Sequence, residues 1–208
     1  MKVFYKLVKV NKCSFLCTMR SKDEQKIDAI YQATLTLTQQ MGFGGITMAK
    51  IAREASIATG TLYIYFKNKE ELINSLYLHL KRKKAVNLFQ DIHFESPLKM
   101  VLKQMFARML KGAVQEAGEM AFLEQYHRSP FIDEAVQREA MQLFEPFFGV
   151  LERGQREFLI KDVEVDLLMA YLAGTLHEFS ALIQEERLPL NNKTIDLMFN
   201  MVWDGIKT

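Results

Sequence analysis

Thr59, Thr61, Tyr63 and Tyr65 place four hydroxyls within one short stretch, and Lys67 and Lys69 add two ammonium groups directly after it. Residues of these types at this spacing suit binding better than catalysis. A hydroxyl can donate to a phosphate oxygen or a base edge, and a threonine methyl can lie against a thymine methyl. Lysines supply charge to a phosphate backbone. Bond-breaking chemistry finds little support. Ser129 stands near His127 without a glycine elbow around it, and catalysis needs a nucleophile and base that converge. His177 and Glu178 are neighbours on a helical pattern and point about 100° apart, which excludes them as joint metal ligands. Cys13 and Cys17 have no histidine or acid beside them and read as reduced thiols. Gly42, Gly44 and Gly45 lack the lysine and Ser/Thr of a phosphate loop and read as a turn. No catalytic residue, metal or cofactor is expected.

The elements that must position the hydroxyls are helices. Apolar residues make up 49% of the 208, enough for a core, and four prolines and ten glycines leave long stretches unbroken. Ile27, Ile30, Tyr31, Thr34, Leu35 and Leu37 follow helical periodicity up to Gly42. Thr47 is placed to cap a helix running to about Ala55; Ser56, Ile57 and Ala58 form a turn, and a second helix spans about Thr59–Phe66. On it Leu62 and Phe66 face inward with Ile51, Ala52 and Ile57, leaving Thr59, Thr61 and Tyr63 outward. Two helices joined by a short turn and preceded by a third describe a helix-turn-helix. Asn68 caps the next helix, which continues to about residue 90. Further helices are expected from Ser96-Pro97 onward, with Gly112 and Gly118 as punctuation, up to about Ser129-Pro130, over 131–155 with a kink at Pro146, and over 164–187 and 193–206.

Charge is uneven along the chain. Residues 20–84 carry eleven Lys or Arg against six acids, whereas residues 85–208 carry twelve against nineteen. A basic first part and an acidic remainder point to a polyanion partner for the first part alone. No apolar run reaches the roughly 18 residues of a membrane span. Lys6, Lys9 and Lys12 break any signal-peptide core, so a cytoplasmic protein is expected. Met19 offers a second start, and residues 1–18 are set apart as an N-terminal extension, either not native or disordered.

The stretch from Ile27 to Leu72 resembles the DNA-binding domain of the TetR family of bacterial repressors. The matching segments are "AIYQATLTLTQQMGFGGITMAKIA" and, above all, "TGTLYIYFKNKEEL". The resemblance implies an all-α protein, with a three-helix helix-turn-helix domain over 19–68 and a helical ligand-binding and dimerisation domain over 69–208. It makes Thr59, Gly60, Thr61 and Tyr63 the recognition face, Tyr65, Lys67 and Lys69 phosphate contacts, and Thr47 a cap near the DNA backbone. Two positions depart from the family pattern. Ser56 stands where glycine is usual in the turn, and Ala58 where serine often caps the recognition helix.

Beyond residue 85 the resemblance implies a small-molecule pocket and a homodimer formed through the last two helices. Candidate pocket residues are Met105, Phe106, Met109, Phe122, Tyr126, His127, Tyr171, His177 and Trp203. Their methionine and aromatic character favours a small hydrophobic ligand, and the acidic excess favours a cation over an anion. For the dimer, Ala170, Leu172, Ala173 and Gly174 on one helix and Met198, Phe199, Val202 and Trp203 on the last suit a four-helix interface. The expected function is a ligand-responsive repressor of a palindromic double-stranded DNA operator, with no membrane partner. The alternatives are a small-molecule binding protein or enzyme with a vestigial helix-turn-helix, and a transcriptional activator.

Overall fold

A computed structural model describes residues 22–208, and the expectations for Cys13, Cys17 and the N-terminal extension lie outside it. Ten helices follow one another: α1 Lys22–Gly45, α2 Met48–Glu54, α3 Thr59–Tyr65, α4 Lys69–Phe89, α5 Leu98–Gln115, α6 Ala117–His127, α7 Glu134–Gln142, α8 Glu145–Arg156, α9 Val165–Gln184 and α10 Asn192–Ile206. Among the described residues the fold is all-α apart from one antiparallel bridge, Ile160 to Lys207, which ties the chain's end to the loop after α8.

Local chemistry sets four of the helix starts. Thr47 accepts from the Lys50 amide, Asn68 from Glu71 and Asn191 from Thr194, while Asp133 accepts from Ala135 and Val136. Each satisfies amides that have no partner within their helix. Gly42 interrupts α1 at φ 65°, a conformation that costs glycine nothing. Ser56 also has a positive φ, 56°, without that freedom, and Ala58 leaves α3 without a side-chain cap.

Three expectations change. The region 131–155 forms two helices, α7 and α8, rather than one kinked helix. Pro146 lies in the first turn of α8, where the missing amide hydrogen is no loss. Gly112 lies inside α5 and does not end it. Gly118 belongs to the first turn of α6, where it faces the end of the Gln39 side chain of α1 and does not end a helix.

Two apolar clusters organise the molecule. The first joins α1–α3 to the first half of α4 and to α6, through Ile30, Ile51, Leu62, Leu72, Ile73, Leu76 and Phe122. The second joins the end of α4 to α5, α8, α9 and α10, through Leu88, Met105, Leu110, Leu151, Ile195 and Phe199. Helix α4 runs through both, and a rod of 21 residues spans about 30 Å. Between the clusters, α4 and α6 are clamped by charge. Lys83 Nζ lies 2.7 Å from Glu116 and 2.6 Å from Glu119, and Lys84 Nζ lies 3.1 Å from Glu116.

Candidate functional site

Helix α3 is held by a single deeply placed side chain. Leu62 is fully buried against α2, and Phe66 follows into the same cluster just past the helix end. At about 100° per residue, the direction opposite Leu62 falls between Gly60 and Ile64. Thr59 and Gly60 are exposed, Tyr63 is 52% exposed and Ile64 is 79% exposed. A Cβ added at Gly60 would meet nothing within 4 Å, so packing does not require glycine there. Thr61 is half-buried at the edge of this face. Ile64 is the residue the motif reading passed over. The signal was available, because an isoleucine two residues after a buried leucine must point outward on a helix.

The flanking groups divide. Lys67 is exposed and its ammonium has no partner among the described residues, while its amide donates to Glu71 Oε2 at 2.7 Å. Lys69 is turned inward. Its ammonium donates to the carbonyls of Phe43 and Ile46 at 3.1 and 3.3 Å and lies 5.0 Å from the centre of the Phe131 ring. Where a phosphate contact was expected, the Lys69 ammonium clasps the α1–α2 turn. Tyr65 donates to Asp23 Oδ1 at 2.6 Å, which raises its pKa and fastens α3 to the start of α1. Its hydroxyl is engaged within the chain rather than free for a phosphate. Thr47 is confirmed as a cap, at 3.3 Å from the Lys50 amide.

The expected pocket residues do not converge. Phe106 and Met109 line a cavity of about 120 Å³ together with Leu102, Phe147, Met169 and Leu176. Met105 is fully buried beside them in the second cluster. Phe122 and Tyr126 belong instead to the first cluster. Tyr126 stacks on Tyr77 at 3.9 Å and donates to Asn74 Oδ1 at 2.5 Å, joining α6 to α4. Burial pushes the Tyr77 hydroxyl up to about 12. His127 is exposed with its ring edge on Tyr77, and its pKa is lowered by burial and then by the charge of Lys81. His177 is exposed and pairs with Glu124 at 3.1 Å. Tyr171 is exposed on α9 and lies against Gly205, where a Cβ would come within 2.1 Å of its Oη. These three stand outside the cavity. Periodicity marked them as partly apolar positions but could not say which cluster each helix face would join.

The expected interface residues divide between surface and core. Ala170, Ala173 and Gly174 are exposed on α9, and Leu172 is half-buried with one side on the cavity. Met198, Phe199 and Val202 are buried at 3, 1 and 2% in the protomer's own core. Trp203 is half-buried, stacks on Phe199 and carries Lys99 over its ring at 5.4 Å. Helix α10 bears two apolar stripes, and the inward one claims these residues. The outward stripe is Leu197 and Met201, exposed by 63 and 57%, and on α9 Leu167 is exposed by 61%.

A helix-turn-helix with a bare outer face on its second helix, carried by a longer helical body, defines a DNA-binding regulator of transcription. Residues 30–76 match the model of bacterial regulatory proteins of the tetR family, and residues 81–208 match that of the tetracyclin repressor-like C-terminal domain. The chain belongs to the tetR family of bacterial regulatory proteins. An uncharacterized HTH-type transcriptional regulator of Haemophilus influenzae is 29% identical over 112 residues, which are 54% of this chain and 60% of that protein. The chain spans less than two thirds of the length of the curated relatives it matches. A TetR family transcription regulator from Marinobacter aquaeolei superposes with a TM-score of 0.84 at 21% identity, over 91% of this chain and 99% of the other. A putative tetR family regulator from a Shewanella species gives 0.78 at 25% identity, over 88% and 98%.

Proposed function

We propose that this regulator is a ligand-responsive repressor that binds a palindromic operator as a homodimer in the cytoplasm and is released by a small, largely apolar ligand. The observation that carries the reading is the outer face of α3. Thr59, Gly60, Tyr63 and Ile64 are displayed at the surface, Ile64 by 79%, which suits a face that enters a DNA groove. Residues 19–68 act as the reading unit and residues 69–208 as the regulatory and dimerisation unit.

Two features support the ligand and the dimer. The cavity of about 120 Å³ is lined almost wholly by apolar side chains, among them the adaptable Met109 and Met169. It is smaller than the roughly 300–1,000 Å³ of a usual ligand site, so a ligand of ordinary size must displace α9 or α10 to enter. The exposed apolar stripe of Leu167, Leu197 and Met201 supplies a surface for a second copy. A ligand that moves α9 would thereby alter the spacing of the two recognition helices, coupling ligand to operator.

The test is genomic footprinting with purified protein, followed by anisotropy titration of the recovered sequence with candidate ligands. Recovery of palindromic sites and their release by a lipophilic compound are the expected results. Binding sites without two-fold symmetry would overturn the dimeric reading. Ligand binding that leaves operator affinity unchanged would overturn the release mechanism.

A further inference from the structure

Helix α4 carries four consecutive cations, Lys81, Arg82, Lys83 and Lys84, and three have carboxylates: Arg82 pairs with Glu139 at 2.5 Å, and Lys83 and Lys84 share Glu116 and Glu119. Lys81 has none among the described residues. Its ammonium lies 5.5 Å from the centre of the Tyr77 ring and 5.5 Å from that of Phe144. The chain thus holds a half-buried cation against two aromatic faces with no acid in reach.

We propose that Lys81 is the anchor of a binding site for an organic carboxylate, with its anionic head between Lys81 and His127 and its apolar body along Phe144 and Phe89. It rests on the proposed ligand response and assigns a second, anionic ligand class to a site apart from the α5, α8, α9 and α10 cavity.

Several observations converge on this site. Lys81 pays for desolvation without a counter-ion, and burial lowers its pKa, with Lys84 adding to the effect. A bound carboxylate would supply the missing charge where water is partly excluded. His127 presents its ring to Tyr77 at 5.7 Å and is itself exposed, so the site opens to solvent on that side. From Lys81 the aromatic surface continues inward. Phe144 contacts Phe89, and Phe89 contacts Phe94, each at 6.2 Å. One ammonium with one imidazole matches a single negative charge better than a phosphate dianion. The acidic excess beyond residue 85 suggested a cation; the carboxylates of Glu116, Glu119 and Glu139 are instead engaged by the three neighbours of Lys81. The site also lies on the helix that joins both apolar clusters and beside the Tyr77–Tyr126 stack, so occupancy can reach the reading unit without passing through the cavity of α5, α8, α9 and α10.

Calorimetric titration of the full chain, without DNA, with phenylbutyrate, its methyl ester and phenylbutylamine tests the site. The acid should bind roughly tenfold or more tightly than either other compound, the scale of one desolvated charge pair. Lys81→Met should erase that preference, and Lys81→Arg should keep it, which guards against a loss caused by misfolding. His127→Gln should weaken the acid alone. Equal binding of acid and ester by the parent, absence of acid binding, or a preference that survives Lys81→Met would overturn the proposal. Operator release is read separately. Operator release by a neutral lipophile, with no acid-selective binding by the parent, leaves the ligand-responsive reading standing while this site falls; acid binding at Lys81 without release by any compound does the reverse.

Discussion

At the scale of the residue, two lysines two positions apart have opposite duties. Lys67 is exposed and its ammonium has no partner among the described residues, whereas Lys69 spends its donors on Phe43 and Ile46. Lys67→Met should weaken specific and random DNA alike and reduce the salt slope of binding by about one charge. Lys69→Met should leave that slope unchanged and lower stability by about 1 kcal/mol, a modest value because the group is partly hydrated. Thermal denaturation beside salt-dependent anisotropy separates the two. A slope reduced equally by both variants would return Lys69 to the phosphates. Tyr63→Ala and Ile64→Ala should barely alter stability, since both side chains are exposed, yet each should cost about 1–3 kcal/mol of operator preference. Competition with random DNA measures it.

At the scale of the element, the turn between α2 and α3 stores strain that can be relieved. Ser56 sits at φ 56°, and α3 begins at Ala58 with no side-chain acceptor. Ser56→Gly should stabilise the protein by roughly 0.5–1 kcal/mol, and Ala58→Ser by about 1 kcal/mol. Denaturant unfolding reads both, and a loss from either would mean that the turn is set by tertiary contacts. The α4–α6 junction has its own signature in alkali. Burial raises Tyr77 from 10.0 to about 12, so its neutral form is favoured in the fold. That stability is complete below pH 10 and is lost as pH rises toward about 12, amounting to about 3 kcal/mol at most. Tyr77→Phe, which keeps the ring on Tyr126, should remove this part of the alkaline loss. An unchanged alkaline transition would place the loss on Tyr31 and Tyr126, whose pKa values are raised as well.

At the scale of the whole molecule, the proposed homodimer would form through the apolar stripe exposed on α9 and α10. Leu197→Arg or Leu167→Arg should give monomers by light scattering and weaken operator binding in parallel, because two half-sites are then read independently. Trp203→Arg should instead unfold or destabilise the chain, since Trp203 packs on Phe199 inside the protomer. If Trp203→Arg yields folded monomers while Leu197→Arg stays dimeric, the two stripes of α10 have been assigned the wrong way round.

What the sequence determined by itself is what local rules govern. Thr47, Asn68 and Gly42 mark helix ends through hydrogen bonds and dihedral freedom within a few residues, and Leu62 sets the inward direction of α3 by period alone. The family motif over Ile27–Leu72 follows from the same closeness, because its residues contact one another within a short span. Tertiary structure decided what lies between distant segments. Lys69 finds the carbonyls of Phe43 and Ile46, Phe122 and Tyr126 join the first cluster and not the cavity, and Lys81 is left without the carboxylates its neighbours obtain. Helix α10 is apolar on two faces, and periodicity cannot tell a face that meets α5 from one left for another molecule. That choice depends on how the helices cross, which is a property of the packed chain rather than of any segment.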